Sequence, residues 1–130
     1  MAVLDSSFLI DVLHGEEGAV RLLNTLQQRE SKLLVASPTV MELWEGILRC
    51  KLPEKEKEKV EALLYELTIL PFHEKEAKIA AKFRVLLAQQ GETIELIDIL
   101  IASITQAQGE TIVTRDKHFT RIPELFVLTY

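Results

Sequence analysis

Five short apolar runs, each of strand length, constrain this chain more than anything else in it. They are Ala2-Val3-Leu4, Leu33-Leu34-Val35-Ala36, Thr68-Ile69-Leu70, Thr111-Ile112-Val113-Thr114 and Phe126-Val127-Leu128-Thr129. Near-continuous apolarity, rather than strict alternation, suits strands buried on both faces, as in a parallel sheet. Helical patterns lie between the runs. Ala19, Leu22, Leu23 and Leu26 keep the i, i+3, i+4, i+7 spacing of a one-sided helix, as do Val60, Leu63, Leu64 and Leu67, and then Ile79, Ala80, Phe83 and Leu87. Ser37-Pro38 reads as an N-cap followed by proline at the first helical position, opening a helix with Val40, Leu43, Trp44 and Ile47. Gly91 and Gly109 read as helix stops. Strands alternating with helices over residues 1–130, with no repeat, low-complexity segment or linker, predict one three-layer α/β/α domain around a mostly parallel sheet.

Composition narrows the class of function less than it narrows the fold. A single cysteine, Cys50, permits no internal disulfide and suits a reducing compartment. The opening Met1-Ala2-Val3-Leu4-Asp5 has no basic leader, so no signal peptide is expected. Asp98 interrupts the best apolar stretch, Leu96 to Ile104, well short of the roughly 18 residues a membrane span needs. A cytoplasmic protein without a membrane partner is the expectation. The net charge of −5, from 15 basic and 20 acidic residues, opposes generic nucleic-acid binding. Part of the excess belongs to a solvated helix face, Pro53-Glu54-Lys55-Glu56-Lys57-Glu58-Lys59, which mixes both signs. Carboxylates gathered elsewhere would repel one another unless divalent cations sat between them.

In open parallel sheets, function collects beyond the carboxyl ends of the strands. Asp5 follows the first run directly, and Asp116 stands two residues beyond the fourth. Either has an ordinary explanation: Asp5-Ser6-Ser7 as a helix cap, Asp116 as a turn residue. Asp98 is harder to explain so. It lies in a helical pattern, Ile94 to Ala107, that is apolar almost all round and therefore largely buried. An unpaired carboxylate bordering such a surface costs several kcal/mol, by rough estimate, unless it is protonated, bound to metal, or paired with free N–H groups or a basic residue. Glu42, by helical angle, points away from the stripe of its own helix and shares that face with Glu45 and Arg49. The residues alone do not separate Glu42 from Glu45. Jointly, these oxygen donors suit Mg²⁺ or Mn²⁺ rather than Zn²⁺. His14, His73 and His118 have no zinc spacing and read as surface or capping residues, while Cys50 and Trp44 read as packing residues.

The order Leu4-Asp5-Ser6-Ser7-Phe8-Leu9-Ile10, Ser37-Pro38 to Glu42-Leu43, Asp98-Ile99-Leu100-Ile101-Ala102 and Val113-Thr114-Arg115-Asp116-Lys117-His118-Phe119 resembles a PIN domain. The resemblance covers essentially the whole chain and, within the family, is similar to the VapC-type toxins, the ribonuclease halves of toxin–antitoxin pairs. It implies Asp5 and Asp98 as main ligands of Mg²⁺ or Mn²⁺, Asp116 completing the cluster directly or through water, and Glu42 rather than Glu45 as the fourth acidic residue. Ser6 or Thr114 would orient a ligand or water. Hydrolysis of an RNA phosphodiester by activated water would leave 5′-phosphate and 3′-hydroxyl ends. It further implies a homodimer silenced by a small antitoxin that covers or enters the acidic site. Arg115, Lys117 and Arg121 could touch the RNA backbone or simply form a solvated surface. Two alternatives stand beside this reading. One is a non-catalytic PIN-type binding module, whose mark would be a lost acidic position. The other is a PIN-type nuclease acting on DNA, or in RNA processing without an antitoxin. A receiver or a haloacid-dehalogenase-like phosphatase would need a second acidic residue beside Asp5, which Ser6-Ser7 does not supply.

Overall fold

The structure, a computed structural model, describes residues 1–30 and 32–130. Five parallel strands form one sheet in the order β3-β2-β1-β4-β5, where β1 is Ala2–Leu4, β2 Leu33–Ala36, β3 Thr68–Leu70, β4 Thr111–Thr114 and β5 Phe126–Thr129. These are the five apolar runs of the sequence. The register sets Ala2 against Leu33 on one side and Thr111 on the other, and carries through to Leu4 opposite Val113.

Alternation along the strands divides the core in two. Val3, Leu34, Ala36 and Ile112 face α5 (Glu74–Gln89) and α6 (Leu96–Ala107), packing with Phe83, Leu87, Ile99 and Ile101. Ala2, Leu4, Leu33, Val35 and Val113 face the opposite way. They pack with Phe8 and Leu9 of α1 (Ser6–Leu13), Leu23 and Leu26 of α2 (Glu17–Arg29), Leu43 and Ile47 of α3 (Ser37–Arg49), and Val60 of α4 (Pro53–Tyr65). Helices therefore cover both faces, giving the three-layer α/β/α arrangement. Cys50 is half-buried and free, and Trp44 packs half-buried against the second cluster.

Three local expectations need correction. Burial on both faces describes β1, β2 and most of β4, but β3 and β5 are the sheet's edges and leave Ile69 and Phe126 exposed. Ser37 is not a cap. β2 runs straight into α3, so the extended Ala36 takes the cap position and Ser37 is already helical, with Pro38 behind it in the first turn. The helix carrying Asp98 begins at Leu96, leaving Ile94 in the preceding segment, though still packed on the core. Gly91 and Gly109 do follow helix ends, each with the positive φ that stops a helix without strain (71° and 65°). No helix of the described residues is long and apolar enough to cross a membrane.

Candidate active site

Because β1 and β4 are neighbours and parallel, their carboxyl ends open on the same side, and this brings Asp5 to Thr114. The chain leaves β1 extended at Asp5 (φ −78°, ψ 158°), whose backbone N–H still donates to Val113 of β4 at 3.0 Å. Asp5 is buried, at 3 % exposure. It occupies the cap position of α1, yet its carboxylate makes no cap bond, so the ordinary explanation from sequence fails. Instead Oδ2 accepts hydrogen bonds from Ser7 Oγ (2.9 Å) and Thr114 Oγ1 (2.7 Å). The other oxygen, Oδ1, is buried with no hydrogen-bond partner among the described residues. An unmet buried carboxylate oxygen costs free energy that a cation would recover. The hydroxyls that grip Oδ2 also tie down the loop after β4: Thr114 Oγ1 accepts from the Asp116 N–H (2.9 Å) and Ser7 Oγ from the Arg115 N–H (3.1 Å).

Three further carboxylates act on the same place. Glu42, on α3, is half-buried and its Oε1 accepts from Ser6 Oγ at 3.0 Å. Its carboxyl titrates above the usual range, chiefly through burial; Ser6 opposes the shift and the charge of Asp5 adds to it. The placement opposite the helix's apolar stripe thus conceals a difference from Glu45, which is exposed and pairs with Arg49 at 3.0 Å in the ordinary i, i+4 manner. Asp98 sits half-buried in the first turn of α6. Burial above all, then the charges of Asp5, Asp116 and Glu42, pushes its carboxyl up to about 7. No Lys or Arg among the described residues pairs with Asp98. The pairing allowed from sequence is therefore not found.

Asp116 retains its turn role: Oδ1 accepts from the His118 N–H at 2.9 Å at the start of the 3-10 turn Lys117–Arg121. The same oxygen stands 2.7 Å from His118 Nδ1. His118 thereby joins the rim of the site, a position that the two-residue spacing from Asp116 could have signalled. An open cleft lined by Thr93, Ile94, Glu95, Asp98, Asp116 and His118 leads to the cluster. Of the three basic residues near it, Arg115 is tied to Asp11 (3.4 Å) and Arg121 to Glu92 (3.3 Å), while Lys117 is exposed. Asp11 is a buried acidic residue that sequence reasoning missed.

Among the described residues, no three His, Cys, Asp or Glu side chains are placed so that together they could hold a metal ion. The donors nevertheless suit a hard divalent cation. They are all oxygens, one is orphaned and buried, and the mutual repulsion that raises Asp98 is what such a cation would relieve.

Known proteins share this fold along nearly the whole chain. Residues 2–125 match the PIN domain family. The chain is similar to the ribonuclease VapC2 of Haemophilus influenzae, with 30% identity over 121 residues that cover 92% of this chain and 90% of that protein. It is likewise similar to the tRNA(fMet)-specific endonuclease VapC of Shigella flexneri, 27% identical over the same shares. Among solved structures, VapBC2 from Rickettsia felis bound to a DNA fragment from its promoter aligns with a TM-score of 0.92 and 27% identity, covering 99% of this chain and 98% of that one.

Proposed function

The chain belongs to the PIN-domain family, and we propose that it is an Mg²⁺- or Mn²⁺-dependent endoribonuclease, the toxin half of a toxin–antitoxin pair. The observation that carries this reading is Asp5: a buried carboxylate with one oxygen held by two hydroxyls, the other left free, and two more carboxylates beside it. Asp5 and Asp98 would hold the cation, with Asp116 completing the set directly or through water. A divalent cation, when bound, supplies positive charge to the phosphodiester oxygens and makes water acidic enough to attack near neutral pH.

The chain's own residues prepare that site. Ser7 and Thr114 fix the rotamer of Asp5 and direct its free oxygen outward from their own bonds. Ser6 holds Glu42, whose carboxyl burial raises above the usual range, as the group to exchange a proton with the attacking water. Arg115 lies beside the site as a contact for the RNA backbone. The substrate is RNA. The name of the Shigella flexneri relative makes initiator tRNA the first structured candidate. The Rickettsia felis assembly supports a small antitoxin as partner, and we propose a homodimer working in the cytoplasm.

The test is cleavage of labelled single-stranded RNA and of an initiator tRNA transcript by purified, antitoxin-free protein, with Mg²⁺ or Mn²⁺ and then with EDTA. Cutting should vanish in EDTA. It should also fall at least about a hundredfold in Asp98→Asn, the scale for groups acting on transition-state charge. Metal-dependent cutting retained by a normally folded Asp98→Asn protein would reject the assigned site. Cleavage of single-stranded DNA in place of RNA would transfer the reading to DNA.

A further inference from the structure

Arg115 stands next to four carboxylates yet reaches none of them. Its backbone N–H donates to Ser7 Oγ (3.1 Å), the hydroxyl that also grips Asp5, while its Nη1 lies 3.4 Å from Asp11 Oδ1. Ser7 and Asp11 are four residues apart on α1, hence on one face and one turn apart. Arg115 therefore lies along α1, and its guanidinium is drawn one turn away from Asp5. The Arg115 side chain as a whole remains 61 % exposed. Asp11 in turn is fixed from the other side. Its Oδ2 accepts the Tyr130 hydroxyl at 2.6 Å, and the Tyr130 ring meets the fully buried Phe8 edge to face, centroids 5.2 Å apart. Burial, reinforced by the bond to Asp11, holds the Tyr130 hydroxyl in its protonated, donating form well above the usual tyrosine range.

The contacts of Asp11 lie outside the acidic cluster, and they tie together residues up to 119 positions apart in the chain. We infer that Asp11 and Tyr130 are positioning residues that hold Arg115 at the rim of the acidic site as a contact for an RNA phosphate flanking the one that is cut. Two physical needs explain the arrangement. A free arginine on a flexible stem would be pulled by Coulomb attraction onto Asp5, Asp98 or Asp116, where it would compete with a divalent cation. A guanidinium fixed one turn away presents its planar donors to a phosphate without neutralising the ligands. With one Asp11 oxygen on Tyr130 and the other on Arg115, neither partner is free to rotate without leaving a buried carboxylate oxygen unmet.

The inference rests on the ribonuclease reading, and the experiment separates the two. Tyr130→Phe removes the hydroxyl and keeps the ring on Phe8; Asp11→Asn keeps the size and removes the charge. Steady-state cleavage of labelled single-stranded RNA with Mg²⁺ should show KM raised about threefold in either variant, the scale of a single exposed ion pair, with kcat changed far less. In an Arg115→Ala background, Tyr130→Phe should add nothing further. Fluorescence anisotropy with the same RNA, in an Asp98→Asn background that does not cut it, should show Arg115→Ala lowering the salt dependence of binding by about one phosphate contact, a change of about 0.7 in slope. A lower kcat at unchanged KM overturns the inference, as do additive effects in the double variant or a lowered Tm with both constants unchanged. In each of those cases the parent still cuts RNA and the proposed function stands. A parent chain that neither cuts nor binds RNA overturns both.

Discussion

The solvent face of α4 and the carboxyl ends of the strands are built from the same side-chain chemistry and place it under opposite conditions. On α4, Glu54, Lys55, Glu58 and Lys59 are exposed and alternate in sign, so each charge keeps its water and has an opposite neighbour within reach. At the strand ends, Asp5 is buried, Glu42 and Asp98 are half-buried, and the groups acting most strongly on Asp98 are burial and other carboxylates. The two regions contribute to one net charge of −5, which therefore says nothing about either. What differs is where the backbone ends: parallel strands and the helices between them bring acidic residues to one edge of a covered sheet, where water screens them less. Stored repulsion of that kind marks a place that needs a cation, and a solvated face marks nothing.

The sharpest way to break the comparison is to supply the cation. Mg²⁺ or Mn²⁺ should raise the Tm of the parent protein, and at a concentration a hundred times its Kd the stabilisation is about 2.7 kcal/mol. Asp5→Asn and Asp98→Asn should lose most of it, whereas Glu58→Gln on α4 should keep it all. Equal stabilisation of parent and Asp98→Asn, read by thermal melts against metal concentration, would show the cation binding elsewhere.

Without metal, the burial of Asp98, reinforced by its acidic neighbours, makes a second and smaller prediction. The folded protein keeps the Asp98 proton up to about 7, while the unfolded chain releases it near the ordinary aspartate value of 3.8. Between those values the folded state holds the extra proton, so this carboxyl takes stability away as pH rises from about 4 to about 7, and the loss persists above that. Asp98→Asn removes the effect. Because Asp98 is only half-buried, solvent screening trims it to about 1–2 kcal/mol, or about 5 °C in Tm. In EDTA the variant should melt above the parent at about pH 8 and close to it at about pH 4. A variant less stable than the parent at the higher pH would mean that Asp98 has an attractive partner.

How far the site can be read from the amino-acid order follows from the range of each interaction. The run Leu33–Ala36 reads as a strand because burial of consecutive residues is a local pattern, and β2 has those bounds. Asp98 stands out for the same reason, since a carboxylate in an apolar helix is visible within one turn. Ser37 misleads because a separate cap needs a residue between strand and helix, and β2 passes into α3 with none, so its last residue, Ala36, takes the cap position. Glu42 and Glu45 cannot be separated by helical angle, because what separates them is Ser6, 36 positions away on α1. Asp11 and Tyr130 carry no local signal at all. Their bond exists only once β5 has returned the chain to the sheet beside β4 and so close to α1.

Those two glutamates give the smallest and most local test of the comparison, because one helix carries a residue of each kind. Glu45→Gln loses only an exposed i, i+4 pair with Arg49, about 0.3–0.5 kcal/mol, and should leave cleavage within about twofold of the parent. Glu42→Gln keeps an oxygen for the Ser6 hydroxyl while removing a charge that burial opposes, so the metal-free protein should be no less stable than the parent near neutral pH. Its cleavage rate should nevertheless fall by at least about tenfold, as expected for a proton-transferring group. Loss of rate without loss of stability separates a working carboxylate from one that merely decorates the surface. The reverse ranking would place Glu45 in the site and leave the Ser6–Glu42 bond as a simple helix-to-helix tie.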